Sequence, residues 1–260
     1  VAACVGALVL FLLLKFPMCF AYNHAEEMRD FSAFLSVANG ELPYRDFVYI
    51  YGPLSPLVYG SVLKVLPHSL FVIRLVSLLF WSVGVVFLTL ILLRYCRWQT
   101  SLTGSLLASS VMGYPTYCHN HVLAAVAVIA SIYFLLDFIE TSVRRSLYLS
   151  FLGGLVCLFC RPVITGFGFM AMWFLVILLV DWKRAMRSFP GCGLILTLFL
   201  GAFCLSYRQF LPLGFSARPW LDKTSFGYPN LGYLVPSFSL IFSDPLLFLR
   251  ECRASFDTVL

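Results

Sequence analysis

Five of the chain's twelve acidic residues, Glu26, Glu27, Asp30, Glu41 and Asp46, fall in one polar stretch, Tyr22–Gly52, flanked by apolar sequence. Carboxylates gathered in this way can take a proton from a hydroxyl group or hold a divalent cation. They can equally do no more than fold the loop. Asn23 precedes Glu26 at the spacing of a helix cap and its partner, and acids in a first turn complement the helix dipole. Arg161 stands at the end of a long apolar run. A guanidinium there is costly unless paired, and its planar fork suits a phosphate; the competing reading has it snorkel to the interface or pair with a loop acid. His119 and His121 open another apolar run. They fit either the lining of the same cavity or an interfacial pair of polar residues, and at i and i+2 they do not share a helix face, which argues against a metal pair. Tyr44, Tyr49 and Tyr51 suit an aromatic belt or a surface on which a ligand stacks, with Arg45 beside them as a further ligand contact.

The elements that must position these residues are membrane helices. Of 260 residues 61% are hydrophobic and 12% charged, against about 45–50% and about 25% in soluble domains. The apolar residues come in runs, Val1–Phe20, Phe71–Leu93, Val122–Phe138, Val163–Val180 and Gly191–Leu211, close to the roughly 20 residues a span needs. The net charge of +6 comes from cations between these runs, with no basic tract interleaved with aromatics, so nucleic acid is not an expected partner. Cys157 and Cys160 form a Cys-x-x-Cys within an apolar helix with no second ligand pair, and are read as small buried side chains. The first run is long for a signal peptide and lacks an Ala-x-Ala ending, so it is read as a helix. Because the chain opens inside that run, residues are expected before Val1, and the C-terminus is expected to continue as well.

The expected fold is all-α: a polytopic bundle of about seven spans, near 1–21, 69–95, 100–117, 120–139, 146–161, 163–181 and 190–211. Arg94 with Arg97, Arg144 with Arg145, and Lys183, Arg184 and Arg187 then fall in loops on one side, the cytoplasmic one. The first outer loop, 22–67, falls on the other side together with a tail from Pro212 to Leu260. Between Glu26 and Ala38 the apolar residues Met28, Phe31, Phe34, Leu35 and Ala38 recur at helical spacing, with charge expected on the opposite face. Asn39-Gly40 supplies a stop. Pro53–Leu66 gives a second short apolar helix, so two amphipathic interfacial helices would form a lid at the membrane surface.

The stretch Glu26-Glu27 … Ala38-Asn39-Gly40-Glu41-Leu42-Pro43-Tyr44-Arg45-Asp46-Phe47 … Tyr51-Gly52-Pro53-Leu54 resembles the first-loop signature of GT-C membrane glycosyltransferases. Within that superfamily it is similar to the dolichyl-phosphate-mannose–protein mannosyltransferases and to the aminoarabinose and lipopolysaccharide sugar transferases. Arg74 within Leu70–Leu78, Asp137 with Arg144-Arg145, and Gly153-Gly154 with Arg161-Pro162 fit the same pattern. The resemblance implies a GT-C-like module over 1–211. It would move a sugar from a polyprenyl-phosphate-linked donor to an extracytoplasmic glycan, lipid or protein acceptor. Glu26 stands where relatives carry the first acid of a pair and would serve as general base, with Glu27 as the alternative. Asp46 stands where relatives often carry a second acid, so that Glu26 and Asp46 are the candidates for holding Mg2+ or Mn2+. Arg161 would bind the donor phosphate. The expected location is the bilayer of a bacterial inner membrane, with the endoplasmic reticulum as the alternative. A non-catalytic relative or membrane subunit, and a lipid-linked sugar flippase, are the competing functions.

Overall fold

In lipid a backbone N–H or C=O has no water to turn to, so an apolar run satisfies its own hydrogen bonds by becoming a helix. The computed structural model of the chain follows this rule, and it describes residues 2–20, 25–43, 46–47, 49, 51–112, 119–161 and 166–206. The helices are α1 (Ala2–Lys15, continued by a 3-10 turn Phe16–Phe20), α2 (Ala25–Ala38), α3 (Leu54–Leu63), α4 (Leu70–Tyr95), α5 (Trp98–Met112), α6 (His119–Thr141), α7 (Arg144–Cys160) and α8 (Phe167–Ser206). Among the described residues the only β pairing is a single bridge between Pro43 and Phe47, so the all-α class holds there.

Among the described residues three helices are long and apolar enough to cross a membrane: Ala2–Phe20, Leu70–Tyr95 and His121–Thr141. At 26 residues α4 rises about 39 Å, more than the roughly 30 Å of a hydrocarbon core. The expected count of seven is not confirmed: over their described residues α5 has 15 and α7 has 17, or about 22 and 26 Å. The two last expected spans fall within one helical stretch, α8, with Pro190 inside it. That helix is not straight. The rings of Phe174 and Phe189 stack with centroids 6.0 Å apart, whereas the same separation along a straight helix would be about 22 Å. The chain therefore folds back between them. The first arm runs antiparallel to α7, with Trp173 Nε1 donating to Ser150 Oγ at 2.7 Å. The second runs parallel to it, bringing Phe199 to within 4.6 Å of Phe159.

Packing links the long helices in a row, with α5 set against α1 and α4. α1 lies on α4 and α5, α4 on α6, and α6 on α7. Small side chains let the last pair approach: a Cβ on Gly153 would stand 2.9 Å from the Ala127 carbonyl, and Ser131 and Ser150 exchange hydroxyl-to-carbonyl hydrogen bonds at 2.6 and 2.8 Å. These contacts fix which ends meet. Arg94 at the end of α4 pairs with Asp137 and Glu140 at the end of α6 (3.3 and 3.0 Å), and Asp137 also accepts from Ser146 in the first turn of α7. The opposite end gathers the 3-10 turn, the start of α4, the start of α6 and the end of α7, with α2 and α3 packed onto it. All of this packing belongs to the unit Val1–Phe199. The expected tail 212–260 lies outside the described residues.

Helix α2 forms where the sequence placed it and stops as expected. Gly40 takes a left-handed φ of +94°, and the Gly40 and Glu41 amides donate to the carbonyls of Val37 and Ser36, each at 3.0 Å. Its orientation differs from the expectation. Glu27 and Asp30 are buried along with Phe34 and Val37, while Met28 is 45% exposed. The acids therefore face the protein and not the solvent. Phe34 stacks on Tyr59 of α3 at 4.8 Å, and α3 is itself largely buried, at Ser55, Pro56, Tyr59, Gly60 and Leu63. It is wedged between α2 and the ends of α4, α6 and α7.

Candidate functional site

Arg74 enters four residues into an apolar helix, so its charge must be answered by protein. Its Nε and Nη2 donate to the two oxygens of Glu27, each at 2.6 Å, and its Nη1 donates to the Cys19 carbonyl at 3.0 Å. The two side chains are 5% and 0% exposed. His119 Nε2 stands 3.5 Å from Glu27 Oε1. The other ring nitrogen, Nδ1, is 2.7 Å from Ser77 Oγ, which is 3.0 Å from the Tyr59 hydroxyl. Helices α2, α3, α4 and α6 and the 3-10 turn after α1 thus close on one buried polar chain. Burial alone would push the Glu27 carboxyl up. The two hydrogen bonds and the charge of Arg74, with His119 3.5 Å away, outweigh it and hold Glu27 down at about 2.

A second cluster adjoins the first through α2. Asp30 Oδ1 accepts from Arg29 Nε (3.3 Å), Arg29 Nη2 (3.2 Å) and the Tyr49 hydroxyl (3.1 Å). Asp30 Oδ2 is buried with no hydrogen-bond partner. Burial pushes this carboxyl above the usual range, against the opposing charges of Arg29 and His119. Arg29 lies over the Tyr51 ring at 5.0 Å, and Arg161 over the same ring at 5.5 Å. His121 meets that ring edge-on at 6.0 Å and its Nδ1 is 3.2 Å from Arg161 Nη1. The segment bearing Tyr51 is tied to α7 because the Gly52 amide donates to the Cys160 carbonyl at 3.0 Å.

The predicted residues sort accordingly. Glu27 is at the centre of the buried network, where both oxygens are engaged. The backbone of Glu26 sits in the first turn of α2, and its side chain, like Tyr44, Arg45 and the Asn23 cap, lies outside the described residues. Asp46 is exposed and Oδ2 accepts the Leu42 amide at 2.8 Å, which makes it a turn-forming group. His119 and His121 diverge, one into the buried network and one onto Arg161. Tyr49 is buried and Tyr51 is half-buried against His121 and the two arginines, an arrangement unlike an aromatic belt. No three His, Cys, Asp or Glu side chains converge as a metal set among the described residues. Cys157 and Cys160 are fully buried among Leu123, Ala124 and Ala127. Sequence reasoning did not select Arg74, Ser77 or Tyr59 as site residues, although Arg74 carried the same signal as Arg161, a cation in an apolar run.

The depressed Glu27 carboxyl sets a pH dependence. An unfolded Glu titrates near about 4.3, so its contribution to stability is complete above that value and is lost as pH falls through about 2. Asp30 shifts the other way and does not contribute to acid loss. The melting temperature in detergent is expected to hold from pH 7 to 5 and to fall below pH 4. In a Glu27→Gln chain it should start lower and lose less across that acid range. An equal acid-range fall in both would show that Glu27 is not the group being titrated.

No protein-family model matches this chain, and neither a curated protein nor a solved structure does.

Proposed function

We propose that the chain is a GT-C-like membrane glycosyltransferase that takes a sugar from a polyprenyl-phosphate carrier and gives it to an extracytoplasmic acceptor: a glycan, a lipid or a protein. The observation that carries this reading is Arg161. Its guanidinium stands at the same end of an apolar bundle as the acidic helix α2. Among the described residues it is met by His121 and Tyr51 and by no carboxylate. A cation so placed has charge to offer an anion, and a lipid phosphate arriving from the bilayer is an anion of the right reach.

In this proposal α5, α7 and the two arms of α8 cross the membrane alongside the three long helices, which gives seven crossings. The basic loops then face the cytoplasm and α2 and α3 lie outside, in a bacterial inner membrane or, as the alternative, the endoplasmic reticulum. The anomeric carbon develops positive charge as its bond to the carrier phosphate breaks. Arg161 takes up the negative charge on the leaving phosphate. Glu26, in the first turn of α2, accepts the acceptor hydroxyl's proton as the new bond to the sugar forms. Glu27 is a positioning residue, since both its oxygens are engaged by Arg74. Among the described residues no three His, Cys, Asp or Glu side chains converge to hold a divalent cation, and Asp46 spends Oδ2 on a backbone amide.

Mass spectrometry of lipids co-purifying with the full chain tests the reading. Wild type should carry polyprenyl phosphate or its sugar adduct, and Arg161→Ala should carry about tenfold less or lower still, the loss of a charge-assisted contact. Equal retention in both moves the phosphate away from Arg161. A folded wild-type chain that holds no polyprenyl lipid overturns the transferase reading in favour of a non-catalytic membrane protein.

A further inference from the structure

Asp30 is a buried carboxylate with a divided environment. Oδ1 accepts three hydrogen bonds, two from Arg29 and one from Tyr49, which fix the plane of the group. Oδ2, on the other side, has no partner and no exposure to water. Buried polar atoms in folded proteins are satisfied in the great majority of cases, and an exception calls for a function or a missing partner. As a carboxylate, Oδ2 lacks a donor; as a carboxylic acid, it would carry a proton with no acceptor. A hydroxyl group answers both states, because it donates and accepts. The surroundings fit a hydroxyl-rich ligand. Tyr49 and Tyr51 meet edge-to-face at 5.8 Å, and the Tyr51 ring is also met by Arg29, Arg161 and His121. The guanidinium of Arg29, 32% exposed at its side chain, brings the cluster to the surface. Positions 26 and 30 are one helical turn apart, neighbours on the same face of α2.

We propose that Asp30 is the sugar-recognition residue of this site: its Oδ2 takes a hydroxyl of the carrier-linked sugar beside the position of Glu26, while Arg161 holds the phosphate. This inference rests on the transferase reading and deepens it. Asp30 makes no bond-breaking contact in this scheme. It selects a sugar-bearing lipid over the bare carrier and sets where the anomeric carbon lies.

The test is the binding of two classes of probe to the purified full chain in nanodiscs: undecaprenyl phosphate, and its hexosyl, N-acetylhexosaminyl and pentosyl adducts. Wild type should prefer one adduct to the bare phosphate by about tenfold or more. Asp30→Asn keeps the shape and the acceptor facing Arg29 and Tyr49, but replaces the charged acceptor Oδ2 by an amide NH2, which only donates and so forfeits the charge-assisted bond from the sugar hydroxyl. It should lose that preference while binding the bare phosphate as wild type does, whereas a merely structural role would weaken both alike. Should Asp30→Asn fail to fold, Tyr49→Phe removes one of the bonds that aim the carboxylate, and the preference should fall by about threefold on this weaker perturbation. Preference retained in Asp30→Asn, or in Tyr49→Phe where that is the variant that folds, overturns the role of Asp30 and leaves the transferase reading standing. So does a wild type that binds the bare phosphate and every adduct equally. A wild type that binds neither class of lipid overturns both.

Discussion

Glu27→Gln is expected to destabilise the chain by about 3–5 kcal/mol, because removing one partner of a buried ion pair leaves the other charge uncompensated. For a helical unit of this size that amounts to a drop on the order of 10 °C in melting temperature. Both Glu27 oxygens accept from Arg74 at 2.6 Å, and neither side chain is more than 5% exposed, so solvent cannot screen the orphaned guanidinium. The pair is also where α2 is held to the start of α4 and, through the Cys19 carbonyl, to the turn after α1. Arg74→Met should cost a similar amount for the mirror-image reason. The double substitution Glu27→Leu with Arg74→Met should recover much of the loss, since replacing a whole buried pair by apolar groups is often close to neutral. Thermal unfolding of wild type, Glu27→Leu, Arg74→Met and the double substitution in one detergent completes the cycle, with Glu27→Gln measured beside it. Were Glu27 instead a group that reacts with substrate, Glu27→Gln would abolish transfer with the melting temperature unchanged, and that result would sink the structural assignment.

That pair marks the boundary of what the sequence could reveal. The apolar runs declared their helices because lipid leaves the backbone no other option, and Asn39-Gly40 declared the end of α2 because few other residues tolerate a φ of +94°. The grouping of basic loops also survives in outline, since Arg94 meets the carboxylates at the end of α6 and the first turn of α7 lies beside them. The facing of α2 was not legible. Periodicity assigns charged residues to the wet face, and Glu27 defeats the rule only because Arg74, 47 positions away, removes the cost of burying it. Ser77 and Tyr59 are ordinary helix residues until His119 is set beside them. Asp30 looked like one acid among several, and its distinguishing feature, an oxygen with no partner, exists only in three dimensions. For α8 the two arms were readable as separate apolar runs, but not that the backbone stays helical through the bend.

Under the transferase proposal, Gly52→Ala is expected to cost about a hundredfold in sugar transfer, the scale of a displacement of roughly 1 Å at a reacting site, with a smaller thermal penalty than Glu27→Gln. A Cβ at this position would lie 1.8 Å from the Phe159 carbonyl oxygen and 2.4 Å from its carbon. Both are backbone atoms of the last turn of α7, which cannot swing aside as a side chain can, so the loop must retreat. Its neighbour Tyr51 would retreat with it, away from Arg161 at 5.5 Å and from His121 at 6.0 Å. The amide bond from Gly52 to the Cys160 carbonyl would also open, although overpacking of this kind typically costs only about 1–3 kcal/mol. Gly40→Ala is the informative control. A Cβ there meets nothing within 4 Å, so the strain of its positive φ, about 1–2 kcal/mol, should lower stability without touching transfer. The pair of variants separates two ways for a glycine to matter: one permits a turn, the other lets two backbones touch. If Gly52→Ala kept wild-type transfer and lipid binding, the end of α7 would not be what holds Tyr51 against Arg161, and the cluster around that ring would have to be treated as a surface contact with no part in the site.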